Sequence, residues 1–402
     1  VILFSRVVSG AALIAWIYLL MFRGRFWKIR IEQTATGGHE PARRIAAIVP
    51  ARNEAALIAT SVVSLLDQHI EGELRVWVVD DHSEDGTSRQ AIEAAEKWQA
   101  QDRVTVIAAP DLPPGWTGKL WALSQGIEAA RKFVPDYLLL TDADIEHAPG
   151  NVRSLVARCE AGRLDLASYM VRLQCESFAE RALIPVFVFF FLKLYPPDYI
   201  SDPGRHTAGA AGGCILIRPE ALDRAGGIAA IRGEIIDDCA LARRVKSTGG
   251  RIWMGLTSET RSAREYRDFG EIWNMIARTA FTQLKHSTPI LIGTIIGMMA
   301  LYVAPIAALF TGDRAAAASG CAAWALMSAA YAPAVRFYRL SPFWAMTLPA
   351  AAIFYTGATV CSAVRYWIGR GGQWKGRVQN LSNQTMNGSV SSAAKTRGFT
   401  QP

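Results

Sequence analysis

YLLLTDADIEH, Tyr137–His147, sets four apolar residues and a threonine before two carboxylates two positions apart. Read as a β-strand running through Asp144, the segment turns alternate side chains to one face, so Asp142 and Asp144 point the same way. Held that close, one of them resists ionising unless a positive charge stands between them. The stretch therefore demands a cationic partner, and a reason for keeping two carboxylates together at a strand end.

Upstream, the chain repeats one unit. RIAAIVPA (Arg44–Ala51), LRVWVVDD (Leu74–Asp81) and VTVIAAP (Val104–Pro110) are further apolar runs. NEAALIATSVVSLLDQ (Asn53–Gln68), DGTSRQAIEAAEKWQA (Asp85–Ala100) and GKLWALSQGIEAARKF (Gly118–Phe133) alternate with them at helical spacing. Near-continuous Val, Ile and Leu strands separated by amphipathic helices predict an α/β domain with a doubly wound, mainly parallel sheet. PARNE (Pro50–Glu54), DDHSEDGT (Asp80–Thr87), PPGWTGK (Pro113–Lys119) and DAD (Asp142–Asp144) each follow the carboxyl end of a strand. Ligands of open α/β sheets bind in the crevice outside those ends. No repeat of solenoid period is present, and the polar tail from Ser382 reads as disordered.

The 402 residues carry a formal net charge of +8, and 51% are hydrophobic. The apolar residues are concentrated. Val7–Phe22 is uncharged, and with Val1–Ser5 across a snorkelling Arg6 it reaches the roughly 20 residues that a membrane-spanning helix needs. Ser287–Gly312, Ala315–Val335 and Leu340–Val364 are also uncharged and of spanning length. Ala182–Leu192 is too short to span and reads as a core, interfacial or re-entrant helix. RGRFWKIR (Arg23–Arg30) follows the first segment at once, with no clear small-x-small cleavage site. Those cations mark a retained anchor with the soluble insert on the cytoplasmic side. The six cysteines include no C-x-x-C pair, which points to reduced thiols and away from a zinc site or a disulfide framework. Juxtamembrane Arg and Lys explain the positive charge through anionic lipid. The soluble part has no long basic stripe with interleaved aromatics, so nucleic acid is not an expected partner.

IVPARNEA, VVDDHSEDGT, GWTGKLWAL, LLLTDAD and IIDDCALARRVK, in that order on one alternating sheet, resemble a family 2 glycosyltransferase of the GT-A fold. The membrane frame and GGQWKGR (Gly371–Arg377) look most like the hopene-associated glycosyltransferases of hopanoid-producing bacteria; ceramide and carotenoid glycosyltransferases are close in plan. The resemblance implies a GT-A sheet with N-terminal and C-terminal transmembrane helices in a bacterial inner membrane. It divides the chain into an anchor with basic flank at 1–30, a cytoplasmic glycosyltransferase domain at 44–268 and an interfacial amphipathic helix at 269–286. Transmembrane segments at 287–364 and a basic, then polar, cytoplasmic tail at 365–402 complete it.

By the same resemblance, Asp144 and Asp142 hold a divalent metal, Mg or Mn, against the diphosphate of a nucleotide-sugar, which suits hard oxygen donors. On their own, two Asp at a strand end also serve to cap a turn. Asp81 is implied to read a uracil ring, beside Asp80 and the companion loop Pro50, Ala51, Arg52 and Glu54. Asp80 and Asp81 equally suit a turn-forming cluster with SEDG. Lys119, opening a helix, is implied to meet phosphate, with a solvated first-turn lysine as the plainer reading. Asp238 is implied to be the general base for the acceptor hydroxyl, with Asp237 where the family often has Glu; both also complement a helix N-terminus. Gly212 and Gly213, in GRHTAGAAGGCILIRPEAL, allow close backbone approach to acceptor and donor sugar. His147 and His206 read as ordinary loop residues. The implied reaction is inverting transfer from a nucleotide-sugar, with UDP the expected nucleotide, to a membrane lipid hydroxyl, with hopanoid favoured. The rivals are carotenoid, sphingolipid or polysaccharide synthesis, and a catalytically silent scaffold.

WNMIARTAFTQLKHS (Trp273–Ser287) has Arg278 and Gln283 but lacks the Q-x-x-R-W of processive members, which argues for adding one sugar. Arg278 either clamps the diphosphate or belongs to a membrane-surface helix. Lys375 and Arg377 either reach the diphosphate or sit on lipid heads. Four spans would put this basic tail opposite the soluble domain, while its Arg365, Arg370, Lys375 and Arg377 demand the same side. One of the last three segments is therefore expected to be re-entrant. Pro349 and Gly357 single out Leu340–Val364; Gly293, Gly297 and Pro305 single out Ser287–Gly312.

Overall fold

A computed structural model describes residues 2–32, 42–374 and 377–378. Its centre is a sheet of β1 (Arg43–Ala51), β2 (Gly72–Asp80), β3 (Val104–Ala108), β4 (Tyr137–Leu140), β5 (Ile145–Glu146), β6 (Leu166–Arg172), β7 (Ile215–Ile217) and β8 (Ile252–Ser262). The order is β3-β2-β1-β4-β7-β6-β8-β5. β3, β2, β1 and β4 are parallel neighbours, as the alternating strand and helix pattern requires, and β6 is parallel to β8. β7 runs antiparallel to both β4 and β6, and β5 to β8. The sheet is thus mixed where the sequence pattern predicted a mainly parallel one. The cause lies after β6. Helix Phe178–Leu194 does not run back along the sheet, and the chain returns to β7 from the end it left.

β1 shows why both faces are covered. Ile45, Ala47 and Val49 pack with Ile58, Val62 and Leu65 of helix Ile58–Leu66 and with Ala91 and Ala94 of helix Thr87–Lys97. Ala46 and Ile48 belong to the opposite face with Leu120, Leu123 and Ile127 of helix Gly118–Ala130. Every residue from Ile45 to Ala51 is buried, as a strand between two layers should be.

Helix Phe178–Leu194 holds the short apolar run and is a core helix, with Leu183, Ile184, Val186, Val188, Phe189 and Leu192 buried. It joins the α/β domain to the apolar helices: the Phe189 ring lies 5.5 Å from Phe26 and 5.3 Å from Tyr331, centroid to centroid.

Among the described residues, four helices are long and apolar enough to cross a membrane: Ile2–Phe22, Thr288–Ala308, Arg314–Phe337 and Pro342–Trp367. Arg6 forms a two-point ion pair with Asp313 (2.9 and 2.5 Å), and Ser9 lies 2.7 Å from Ser319, so the first and third run side by side in the same direction. The stretch around the fourth begins and ends at the α/β domain. At its start the Arg172 guanidinium stands over the Tyr338 ring at 5.9 Å. At its far end, Arg365 in the last turn and Arg370 just beyond it line a cavity that also contains Asp142 and Asp144. Its helical part lies along helix Phe269–Gln283: Phe354 meets Trp273 at 5.1 Å, and Phe281 N–H donates to Ser362 Oγ at 3.0 Å.

Gly126 sets how closely helix Gly118–Ala130 sits on β1 and β2, because a Cβ there would stand 2.5 Å from Ile48 Cγ2 and 2.8 Å from Val79 Cγ2. Gly126→Val should lower stability by about 1–3 kcal/mol or more through overpacking. Thermal unfolding followed by circular dichroism checks this; an unchanged midpoint would show that the helix is free to move out.

Candidate active site

The carboxyl ends of β1, β4, β6 and β8 open into one cavity of about 960 Å³. Because β7 is antiparallel, its first residue Ile215 pairs with Leu140 at the end of β4, and Gly212 and Gly213 arrive beside Asp142. Helix Asp237–Ser247 then places Asp237 and Asp238 in the same wall, where its N-terminus favours negative charge.

β4 ends at Leu140, and Asp142 and Asp144 occupy the turn before β5. Strand alternation therefore does not set their directions, which corrects the expectation that a strand runs through Asp144 and turns the two to one face. Lys119 Nζ pairs with Asp142 Oδ1 at 2.8 Å and with Asp237 Oδ2 at 3.1 Å. Arg264 donates from Nε to Asp144 Oδ2 at 2.7 Å and from Nη2 to Glu54 Oε1 at 2.6 Å. Each carboxylate has its own cation.

Thr117 Oγ1 caps the helix that carries Lys119 by accepting Leu120 N–H. Burial by itself would lower the Lys119 pKa; Asp142, Asp237 and Asp238 reverse this and hold the ammonium above its ordinary value. Burial raises the Asp142 pKa, Lys119 pulls it down and Asp144 pushes it up again. Asp238 is pushed up to about 6, first by burial and then by Asp237, against the pull of Lys119. Its Oδ2 accepts Gly212 N–H at 2.9 Å and its Oδ1 accepts Cys239 N–H at 2.7 Å. A Cβ on Gly212 would stand 3.4 Å from both Asp238 Oδ2 and Lys119 Nζ, so a larger residue would intrude on the pair.

At the neighbouring strand ends, Asp81 is buried, with Arg52 Nη1 3.5 Å from its Oδ2 and His82 Nδ1 3.3 Å from its Oδ1. Asp80 organises the turn that follows, accepting from Ser83 N–H at 2.9 Å and from the Ser88 hydroxyl. Pro50 and Glu54 line the cavity, while Ala51 is buried at the end of β1 and accepts Asp81 N–H through its carbonyl. Arg278 lines the cavity, with Arg365 and Arg370. The Gln283 amide instead faces Tyr195 Oη, at 3.0 and 2.8 Å. Arg377 lies in a short hairpin, Gln373–Trp374 with Arg377–Val378. Lys375 and the polar tail from Ser382 lie outside the described residues. His206 is an exposed loop residue.

Two features escaped the sequence reading. Arg264 stands in SAREYRD (Ser262–Asp268), a fifth polar stretch after a strand whose carboxyl end faces the same crevice, and the strand-end rule would have found it. The other is a buried relay. Asn151 Nδ2 donates to His147 Nδ1 at 3.0 Å, His147 Nε2 lies 2.9 Å from Thr141 Oγ1, and Thr141 donates to the Gly213 carbonyl at 2.7 Å. Burial lowers the His147 pKa to about 3, so the ring is neutral and ties the Asp142 turn to the glycine loop.

Among the described residues no group of three His, Cys, Asp or Glu side chains is arranged to hold a metal ion. Asp142 and Asp144 offer two hard oxygen donors on one wall. That donor set fits a divalent cation whose remaining ligands come from a bound diphosphate and water.

A mixed sheet with this strand order, and acidic residues gathered at its carboxyl ends, is the GT-A type of glycosyltransferase fold. Residues 46–226 match the family model described as glycosyl transferase family 2; the chain carries that domain and is a glycosyltransferase. The chain is similar to a mannosyltransferase from Pyrobaculum calidifontis solved with GDP-Man and Mn2+: 20% identity, TM-score 0.55, covering 89% of this chain and 99% of that one. It is also similar to glucosyl-3-phosphoglycerate synthase from Mycobacterium tuberculosis in complex with phosphoglyceric acid, at 18% identity and TM-score 0.40 over 64% of this chain and 88% of that one. No curated protein matches.

Asp238 has a folded pKa above its ordinary value of 3.8, so its contribution to stability is complete below that value and is lost as the pH rises through about 6. Asp238→Asn, which gives up one of the two N–H contacts at every pH, should therefore lose less melting temperature than the wild type as the pH rises from about 5 to about 7.5. Melting curves across that range check the sign; an equal or larger fall in the variant would mean that ionisation of Asp238 does not destabilise the fold.

Proposed function

We propose that this protein is an inverting, metal-dependent transferase that moves one sugar from a nucleoside-diphosphate donor, UDP first, to a hydroxyl on a membrane lipid. Hopanoid is the acceptor that the motif resemblance favours. One observation carries the reading. The cavity that holds Asp142, Asp144, Asp237, Asp238 and Lys119 continues past Phe187, Phe191 and Met275 to Arg278 on helix Phe269–Gln283 and Arg365 on the fourth apolar helix. A polar reacting end and an apolar flank suit a lipid whose head reaches in while its body stays outside.

Asp238 receives the proton of the acceptor hydroxyl as its oxygen attacks the anomeric carbon, and the diphosphate departs from the opposite face. Two backbone N–H groups fix the direction of the Asp238 carboxylate. Its pKa of about 6 makes it a base that is ionised, yet still proton-accepting, near neutral pH. Lys119 places a permanent positive charge beside Asp142, where the departing oxygens collect charge. A Mg or Mn ion held by Asp142 and Asp144 would neutralise further charge on the leaving diphosphate. A single displacement needs no carboxylate nucleophile, so the product is inverted.

For the apolar helices we propose that the first three cross the membrane, and that Pro342–Trp367 dips in and returns on the side of the α/β domain. Contacts of Tyr338 with Arg172, and of Arg365 and Arg370 with the cavity, support this, and it reconciles the basic tail with the positive-inside rule. With Arg314→Cys and Arg370→Cys proteins in sealed vesicles, an impermeant maleimide should label the two positions from opposite sides. Labelling from one side only would refute the re-entrant arrangement.

The deciding experiment offers UDP-sugars and GDP-Man with a bacterial lipid extract to the purified protein, with Mn2+ and then with chelator. A glycolipid should form from a UDP-sugar and vanish with chelator. Asp144→Asn should abolish it, and Asp238→Asn should slow it by ~10²–10⁴-fold. Wild-type turnover should fall as the pH drops through about 6, because the base acts when ionised. Product from a GDP donor alone, or full turnover of either variant, would overturn the corresponding assignment.

A further inference from the structure

We propose that Arg264 competes with the divalent cation for Asp144, so that it weakens metal binding in the absence of nucleotide and turns its charge toward the diphosphate once the metal is seated. The proposal rests on the reading of Asp142 and Asp144 as metal ligands.

Arg264 follows β8 and reaches across the crevice to two acids from distant parts of the chain, Asp144 after β4 and Glu54 after β1. Its fork spans them with Nε on one and Nη2 on the other, which a guanidinium does and an ammonium does not. The environment is confined: Glu54 and Asp144 side chains are 10% and 12% exposed, and Arg264 is 32% exposed. The Asp144 turn is pinned as well, since its carbonyl accepts Ala263 N–H at 2.7 Å. The backbone of Asp144 is therefore held beside Arg264, so a cation seated on its carboxylate lies next to the guanidinium.

A cation on Asp144 draws on the negative charge of the carboxylate whose Oδ2 the Nε–H now engages, and repels the guanidinium beside it. Arg264 has an alternative that keeps it in place. Glu54 retains Nη2, and rotation about that contact leaves a full positive charge facing the cavity. A nucleoside diphosphate supplies the compensating negative charge. Metal and nucleotide thus bind together more tightly than either binds alone.

The test is Mn2+ binding by the full-length protein in detergent, read from the electron paramagnetic resonance signal of free Mn2+, with and without UDP. Arg264→Gln should bind Mn2+ alone roughly tenfold tighter than wild type, the scale of one charge-assisted hydrogen bond, and gain less from added UDP. Arg264→Lys keeps the charge but loses the fork, so it should also bind Mn2+ alone more tightly than wild type. Lysine behaving as wild type would reduce the effect to bulk charge and overturn the proposal. So would a glutamine variant with native melting and unchanged or weaker binding. Asp144→Asn distinguishes the two layers: Mn2+ binding unchanged by that substitution would overturn the metal reading itself, and the proposal with it.

Discussion

Among the carboxylates that line one crevice, those of Glu54, Asp142, Asp144, Asp237 and Asp238 share two cations, and the structure is organised around keeping them there. Two like charges about 4 Å apart repel by about 4 kcal/mol at an effective dielectric near 20, so such a cluster opens unless cations divide it. Lys119 and Arg264 do so, each between two acids from different parts of the chain. Their placement depends on the framework behind them. Gly126 lets the Lys119 helix lie close on β1 and β2, and the neutral His147 relay fastens the Asp142 turn to the glycine loop.

The antiparallel strand β7 is what assembles the site. A parallel β7 would bring its preceding loop to the far end of the sheet. Entering in the opposite sense, the chain delivers Gly212, Gly213 and then the Asp237–Ser247 helix to the carboxyl ends of the parallel strands. Helix Phe178–Leu194, which causes the reversal, also welds the α/β domain to the apolar helices. The acidic cluster and the apolar helices are joined by the same element, and the cavity lining runs from Asp238 to Arg365.

Much of this was legible beforehand. The first four strands and three helices follow from hydrophobic period alone, because a buried parallel strand needs apolar residues on both faces. The acidic positions were legible because strand-end loops are the one place in such a sheet where side chains converge. The second half of the sheet was not. β7 has only three residues and β5 two, too few to show a period, and their sense is set by where the chain re-enters.

The residue types were therefore determined by sequence: acids and a lysine in the loops after strands, apolar segments of spanning length, and a basic cluster after the last of them. Tertiary structure decided which charges meet. Asp142 and Asp144 sit two residues apart and still take different cations, Lys119 and Arg264. Arg264 comes from 120 positions away along the chain. Pairing at that distance depends on the order of the strands and on the direction in which the chain enters each one. Local sequence pattern carries neither.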